Sequence, residues 1–185
     1  MRIIYILLTL LLSLYILKKY VRLNKTDCLI IFIFFLFNFY YLLKEKNTIL
    51  LVLNLLINSF LILVFIVDKK EMWIPDLSVI SILILQSLKV FSNCLLYSEK
   101  IKFSGIIIVV IYSFIFFLIS FTMKKELIGF GDLKLLFVLA IDKQIMEVVF
   151  MLLTASILGI IINIKKKGQF PFGPEIVISY LLMLI

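Results

Sequence analysis

Residues 48–68 read TILLVLNLLINSFLILVFIVD, twenty residues without a formal charge and then a carboxylate. A helix rises 1.5 Å per residue, so twenty residues reach about 30 Å, the thickness of a bilayer's hydrocarbon core. The stretch therefore predicts a membrane-crossing helix with an acid at its mouth. Working outward, the same pattern repeats in eight apolar runs punctuated by charges, at residues 3–17, 28–43, 48–67, 77–97, 103–123, 133–141, 145–164 and 174–185. The third, fourth, fifth and seventh are long enough to span, the sixth breaks near Asp142-Lys143, and the eighth has twelve residues before the chain ends. The fold expected is all-α: one polytopic transmembrane bundle over residues 1–185, of about eight spans with the last one short. The first run, led by Arg2, lacks a small-x-small cleavage site and runs into Lys18-Lys19, so it reads as a retained span.

Composition excludes the other broad classes. Apolar residues make up 64% of the chain and charged residues 16%, with a mean hydropathy of +1.24. Soluble domains are about 45–50% apolar and about a quarter charged. The net charge of +8 falls in short clusters between apolar runs, a pattern for anionic lipid headgroups and not for nucleic acid. There is no histidine, which removes Ser-His-Asp and Cys-His catalysis and most zinc enzymes. Cys28 and Cys94 lie in separate runs and make no CxxC or disulfide framework. No metal and no cofactor is expected. Any chemistry must come from carboxylates, Lys, Ser, Thr or Tyr.

Orientation follows from the cations. The loops after runs one, three, five and seven hold twelve of the nineteen Lys and Arg, whereas the N-terminus and the other loops hold six. Positive charge is retained on the cytoplasmic side, so the odd-numbered loops are expected there and the N-terminus outside. Those same loops carry all three prolines and four of the six glycines. Gly and Pro concentrated on one side of a membrane are what an assembled loop site requires.

Two carboxylates mark these loops. Asp68 closes run three and Asp132 opens run six. A carboxylate at the membrane boundary is expensive unless it is paired or functional. Two held a few ångströms apart share a proton, and such a pair can activate water as base and protonate a leaving amine as acid. Asp132 precedes a helix, whose dipole favours the anion, and Asp68 follows one, so Asp132 is the expected base and Asp68 the protonated partner. Plainer readings remain open at this point. Asp76 before Leu77-Ser78 reads first as an N-cap for run four. Asp132 can equally be a cap, with Gly129 and Gly131 as turn residues, and Pro174 reads as a first helical residue. Ser78, Gln86, Lys89 and Asn93 share a face of run four, as do Asn54 and Asn58 of run three. Such stripes face the bundle interior and bond between helices, or line a water path.

Three stretches carry a resemblance. Gly129-Phe130-Gly131-Asp132-Leu133-Lys134-Leu135 fits GxGDxKL, Asp68 through Asp76 fits Dx5[IL]PD, and Phe170-Pro171-Phe172-Gly173-Pro174 fits PFGP. Together, in this order, they resemble the bacterial type IV prepilin peptidases, polytopic GxGD aspartic proteases, over residues 48–185 as a peptidase core, with 1–47 supplying the first two spans. The resemblance implies that Asp68 and Asp132 are catalytic, supported by Pro75, Asp76, Gly129, Gly131, Lys134, Pro171, Gly173 and Pro174. It implies substrates of the type IV prepilin or pseudopilin kind, whose short basic leader is cut after a Gly at the cytoplasmic face of the bacterial inner membrane. Many members carry a zinc-binding CxxC insert after the first span and methylate the new N-terminus. Here that loop is about ten residues, Lys18 to Asp27, without cysteine, so peptidase activity without methylation is expected. The short form is also similar to archaeal preflagellin peptidases. The competing class is a non-enzymatic transporter or assembly scaffold in which the aspartates cap helices or bind ions.

Overall fold

A computed structural model describes residues 2–98, 101–124, 128–164 and 170–184. Lys100, Lys125, Glu126, Lys165 to Lys167, Gly168 and Gln169, all part of the loop reading, lie outside the described residues. Among the described residues eight helices follow one another: α1 (Arg2–Tyr20), α2 (Lys25–Lys44), α3 (Thr48–Glu71), α4 (Asp76–Tyr97), α5 (Ser104–Met123), α6 (Phe130–Leu139), α7 (Ile145–Asn163) and α8 (Gly173–Met183). Five of them, α2, α3, α4, α5 and α7, are long and apolar enough to cross a membrane. The chain is a multi-pass membrane protein.

The eight expected spans become eight helices of unequal reach. With ten and eleven residues, α6 and α8 rise only about 15–17 Å, roughly half a hydrocarbon core. They are half-length helices, not full crossings, and each starts at the end of the bundle where α3 finishes.

The core is built around α3, which packs against α1, α2, α4 and α8. Its Leu51, Leu55, Val64, Ile66 and Val67 are wholly buried, so among the five long helices it is the one screened from lipid over most of its length. The opposite case is α5, where only Gly105 and Val109 are buried and Phe114, Phe117 and Phe121 point outward, an arrangement that lipid solvates. Polar side chains in the interior tie helices together. Asn58 of α3 donates to the Phe34 carbonyl and the Asn38 side chain of α2, and Gln86 of α4 donates to the Tyr180 hydroxyl of α8 at 2.7 Å. The interhelical reading of these stripes holds for Asn54, Asn58 and Gln86, while Lys89 and Asn93 are half-buried.

Helix ends follow local chemistry. α3 does not stop where its apolar run stops, because Asp68, Lys69, Lys70 and Glu71 sustain one more turn before Met72 adopts a left-handed conformation, φ 54°. At the far end of the bundle Gly105 N–H donates to the Lys143 carbonyl at 2.9 Å, and a Cβ on Gly105 would stand 2.6 Å from that oxygen. Only a glycine lets α5 approach the α6–α7 turn so closely. Glu147 accepts from Gln144 N–H at 2.6 Å and caps α7.

Candidate active site

Three segments converge at one end of the bundle: the last turn of α3, the Gly129–Asp132 stretch opening α6, and the Phe170–Pro174 stretch opening α8. Asp68 lies on α3 and is 4% exposed. Its Oδ2 accepts the Gly173 N–H at 2.9 Å. Gly173 is the first residue of α8, so this N–H belongs to the unsatisfied N-terminal set of a helix and carries its positive partial charge. A Cβ on Gly173 would meet Asp68 Oδ2 at 2.7 Å and Ile74 Cδ1 at 3.3 Å, so the close approach depends on a missing side chain. Pro174 takes the second helical position, one later than the sequence suggests, where its missing N–H is one of the orphans in any case. Pro171 is half-buried just before it.

Asp132 is the third residue of α6, with Gly129 at the cap position. It accepts a backbone hydrogen bond from Gly129, whose own Cβ, if present, would lie 3.2 Å from Asp132 Oδ2. Asp132 thus also does the capping that the plainer reading expects. Gly131 faces the Ile74 side chain, where a Cβ would stand 3.2 Å from Ile74 Cβ. Ile74 therefore packs close to both Gly131, beside Asp132, and Gly173, whose N–H holds Asp68. Asp132 senses Asp68. Burial, and then the Asp68 charge, push the Asp132 carboxyl up to about 7, against the opposing effect of the Gly129 N–H. A pair of this kind holds one proton between two carboxyls near neutrality.

This geometry removes the basis for dividing the roles by helix dipole. The expected contrast sets Asp132 at a helix start against Asp68 at a helix end. The structure brings the N-terminus of α8 onto Asp68, so both carboxylates receive a helix-start N–H.

Asp76 is corrected. It is not the cap of α4: Pro75 holds that position and Asp76 is the first helical residue. Its Oδ1 instead accepts from Lys134 Nζ at 2.9 Å, joining α4 to α6, with both side chains largely exposed. An exposed pair of this kind contributes about 0–1 kcal/mol, so it orients the two motif segments more than it stabilises them.

Two residues escape the sequence reading. Glu175, in the first turn of α8, is 3% exposed, and its Oε1 accepts from Asn163 Nδ2 of α7 at 3.1 Å. In sequence, a Glu directly after Pro174 looks like a solvated acid favoured by the helix dipole, and nothing local signals its burial. Ile74 enters the sequence only as the [IL] position of Dx5[IL]PD, with no role of its own. Among the described residues, no group of His, Cys, Asp and Glu could hold a metal ion.

A multi-helix membrane protein with two aspartates near each other at one end of its bundle, one pushed up by the charge of the other, is the class that fold and site define. The model of the type IV leader peptidase family matches residues 55–164, from the middle of α3 to the end of α7, and the chain belongs to this family. No curated protein and no solved structure matches the chain. Membership implies peptidase activity on pilin-type precursors in general.

Proposed function

We propose that the chain is a prepilin leader peptidase of the inner membrane, hydrolysing its substrate at the cytoplasmic face with Asp68 and Asp132 as an aspartic pair. The observation that carries this reading is that these two residues, remote in sequence, lie near enough at one end of the bundle for the Asp68 charge to push Asp132 up. The positive-charge bias of the loops after α1, α3, α5 and α7 supports a cytoplasmic position for that end.

In this reading the pair carries one proton at working pH. Asp68 accepts the Gly173 N–H, and Asp132, pushed up to about 7 by burial and then by the Asp68 charge, keeps the proton. The assignment reverses the one that helix dipoles alone suggest. Asp68 takes a proton from a water molecule as the oxygen attacks the scissile carbonyl, and Asp132 protonates the carbonyl oxygen. The tetrahedral intermediate collapses as the nitrogen of the leaving amine receives the proton held by Asp68 and Asp132 recovers its own. Gly129 and Gly131 leave the approach free of side chains, and Lys134 with Asp76 fixes α6 to α4.

A cavity of about 240 Å³ lined only by apolar side chains, among them Phe34, Phe37, Phe65 and Ile178, opens between α2, α3 and α8. Phe65 is one turn from Asp68, so an apolar helix docked laterally there could present the bond that precedes it to the pair. Co-expression with a candidate prepilin, with mass spectrometry of the mature N-terminus, tests the function. Cleavage after the leader's Gly, with an unmethylated amine, is expected; an intact leader overturns it.

A further inference from the structure

Beside the aspartate pair the molecule buries a third acid that hydrolysis does not require and that lies beyond the stretch 55–164 matched by the family. Glu175 sits in the first turn of α8, the same turn whose first N–H holds Asp68. That turn is fastened to α7 at two points. Asn163 Nδ2 donates to Glu175 Oε1 and to the Gly159 carbonyl, both at 3.1 Å. The Phe172 ring lies over Gly159, where a Cβ would stand 3.3 Å away. The position of the Gly173 N–H is therefore set by how α8 is latched to α7.

The charges around this latch are of one sign. Asp68 faces it from α3 and Asp132 from α6, and both sense Glu175, while α7 offers the neutral Asn163. Among the described residues, the cations on these helices are engaged or outward: Lys134 with Asp76, Lys70 with Asp27, and Lys69 exposed.

We propose that Glu175 is a positioning residue for the hydrolysis: held by Asn163, its carboxylate seats the start of α8 on Asp68 and, as a third negative charge, retains the shared proton on the Asp68–Asp132 pair. The inference rests on the peptidase reading of the site. The charge of Glu175 is among the influences that push Asp132 up, behind burial and Asp68.

Glu175→Gln keeps the shape and an oxygen for Asn163 and removes the charge. Removing one unit charge from a partly buried cluster shifts a neighbouring carboxyl by on the order of one pH unit. The alkaline limb of the cleavage rate, where the shared proton is lost, is expected to move about one pH unit lower. Asn163→Leu, which removes the side chain that holds Glu175 in place, moves it the same way by less, and serves where Glu175→Gln does not fold. A rate lowered equally at every pH, with the limb fixed, would mean a merely structural latch and overturns the proposal, as does a profile like the parent's. A second readout needs no activity: infrared titration of the full chain in detergent, labelled with [13C]aspartate, following the carboxyl band that Asp132→Asn removes. Its midpoint should fall in Glu175→Gln. If the parent protein cuts no leader-bearing substrate, the peptidase reading fails, and this midpoint alone decides the role of Glu175: a shift upholds it, an unmoved midpoint ends it.

Discussion

Replacing Gly173 by Ala separates chemistry from folding. The new methyl carbon would stand 2.7 Å from Asp68 Oδ2. Even a favourable C–H···O contact needs about 3.3 Å, so carboxylate and helix must part by about 0.6 Å. The 2.9 Å hydrogen bond from Gly173 N–H would then approach 3.5 Å, where it is effectively lost. A hydrogen bond to a charged group contributes about 1.5–3 kcal/mol, which corresponds to a fall of about ten- to a hundredfold in kcat. Folding should hardly notice, because the displaced atom is the tip of a side chain and Gly173 is not in the left-handed region. The assay is cleavage of a leader-bearing precursor by purified protein in detergent, alongside its thermal midpoint. Activity within twofold of the parent would refute the reasoning, as would a loss of activity that tracks a loss of stability.

Three further outcomes are expected. Since burial and the Asp68 charge push Asp132 up to about 7, its proton is present below that pH and lost above it. kcat should therefore fall as pH rises from 7 to 9, and a rate still climbing at pH 9 would contradict a shared-proton pair. Gly105→Ala places a Cβ 2.6 Å from the Lys143 carbonyl and 2.7 Å from Val148 Cγ2, a backbone clash that should cost about 1–3 kcal/mol and lower the thermal midpoint. Cleavage per folded molecule should survive, because the site is at the other end; an unchanged midpoint would count against the packing described. Asn58→Leu strands the Asn38 side chain in the interior and should destabilise by about 1–2 kcal/mol, with part recovered when Asn38→Leu is added. Strict additivity in a thermal-denaturation cycle would argue against that bond.

Much of the fold is legible in the sequence because lipid imposes one rule, that each long uncharged run closes its own backbone hydrogen bonds as a helix. All eight apolar runs correspond to helices. Their ends are less legible, since Lys and Glu propagate helix as well as Leu does, and α3 continues past Val67 until Met72 turns left-handed. The depth reached by α6 and α8 is set by tertiary packing, which local patterning does not encode. At the candidate site, Asp68, Asp132 and the glycines stand out because acids and glycines are rare against this background. Glu175 does not, because its burial comes from Asn163 on another helix. The dipole contrast between the two aspartates is lost for the same reason: the N–H that reaches Asp68 arrives from Gly173, far along the chain.

The central claim is that Asp68 and Asp132 act as one catalytic unit, and it is tested most directly by measuring precursor cleavage in Asp68→Asn, Asp132→Asn and the double variant, each verified as folded and membrane-inserted. Residues that act as a unit are strongly non-additive. Each single change is expected to lower kcat by about a thousandfold or more, with the double variant no worse than either alone. Near-parental cleavage by either single variant would contradict it.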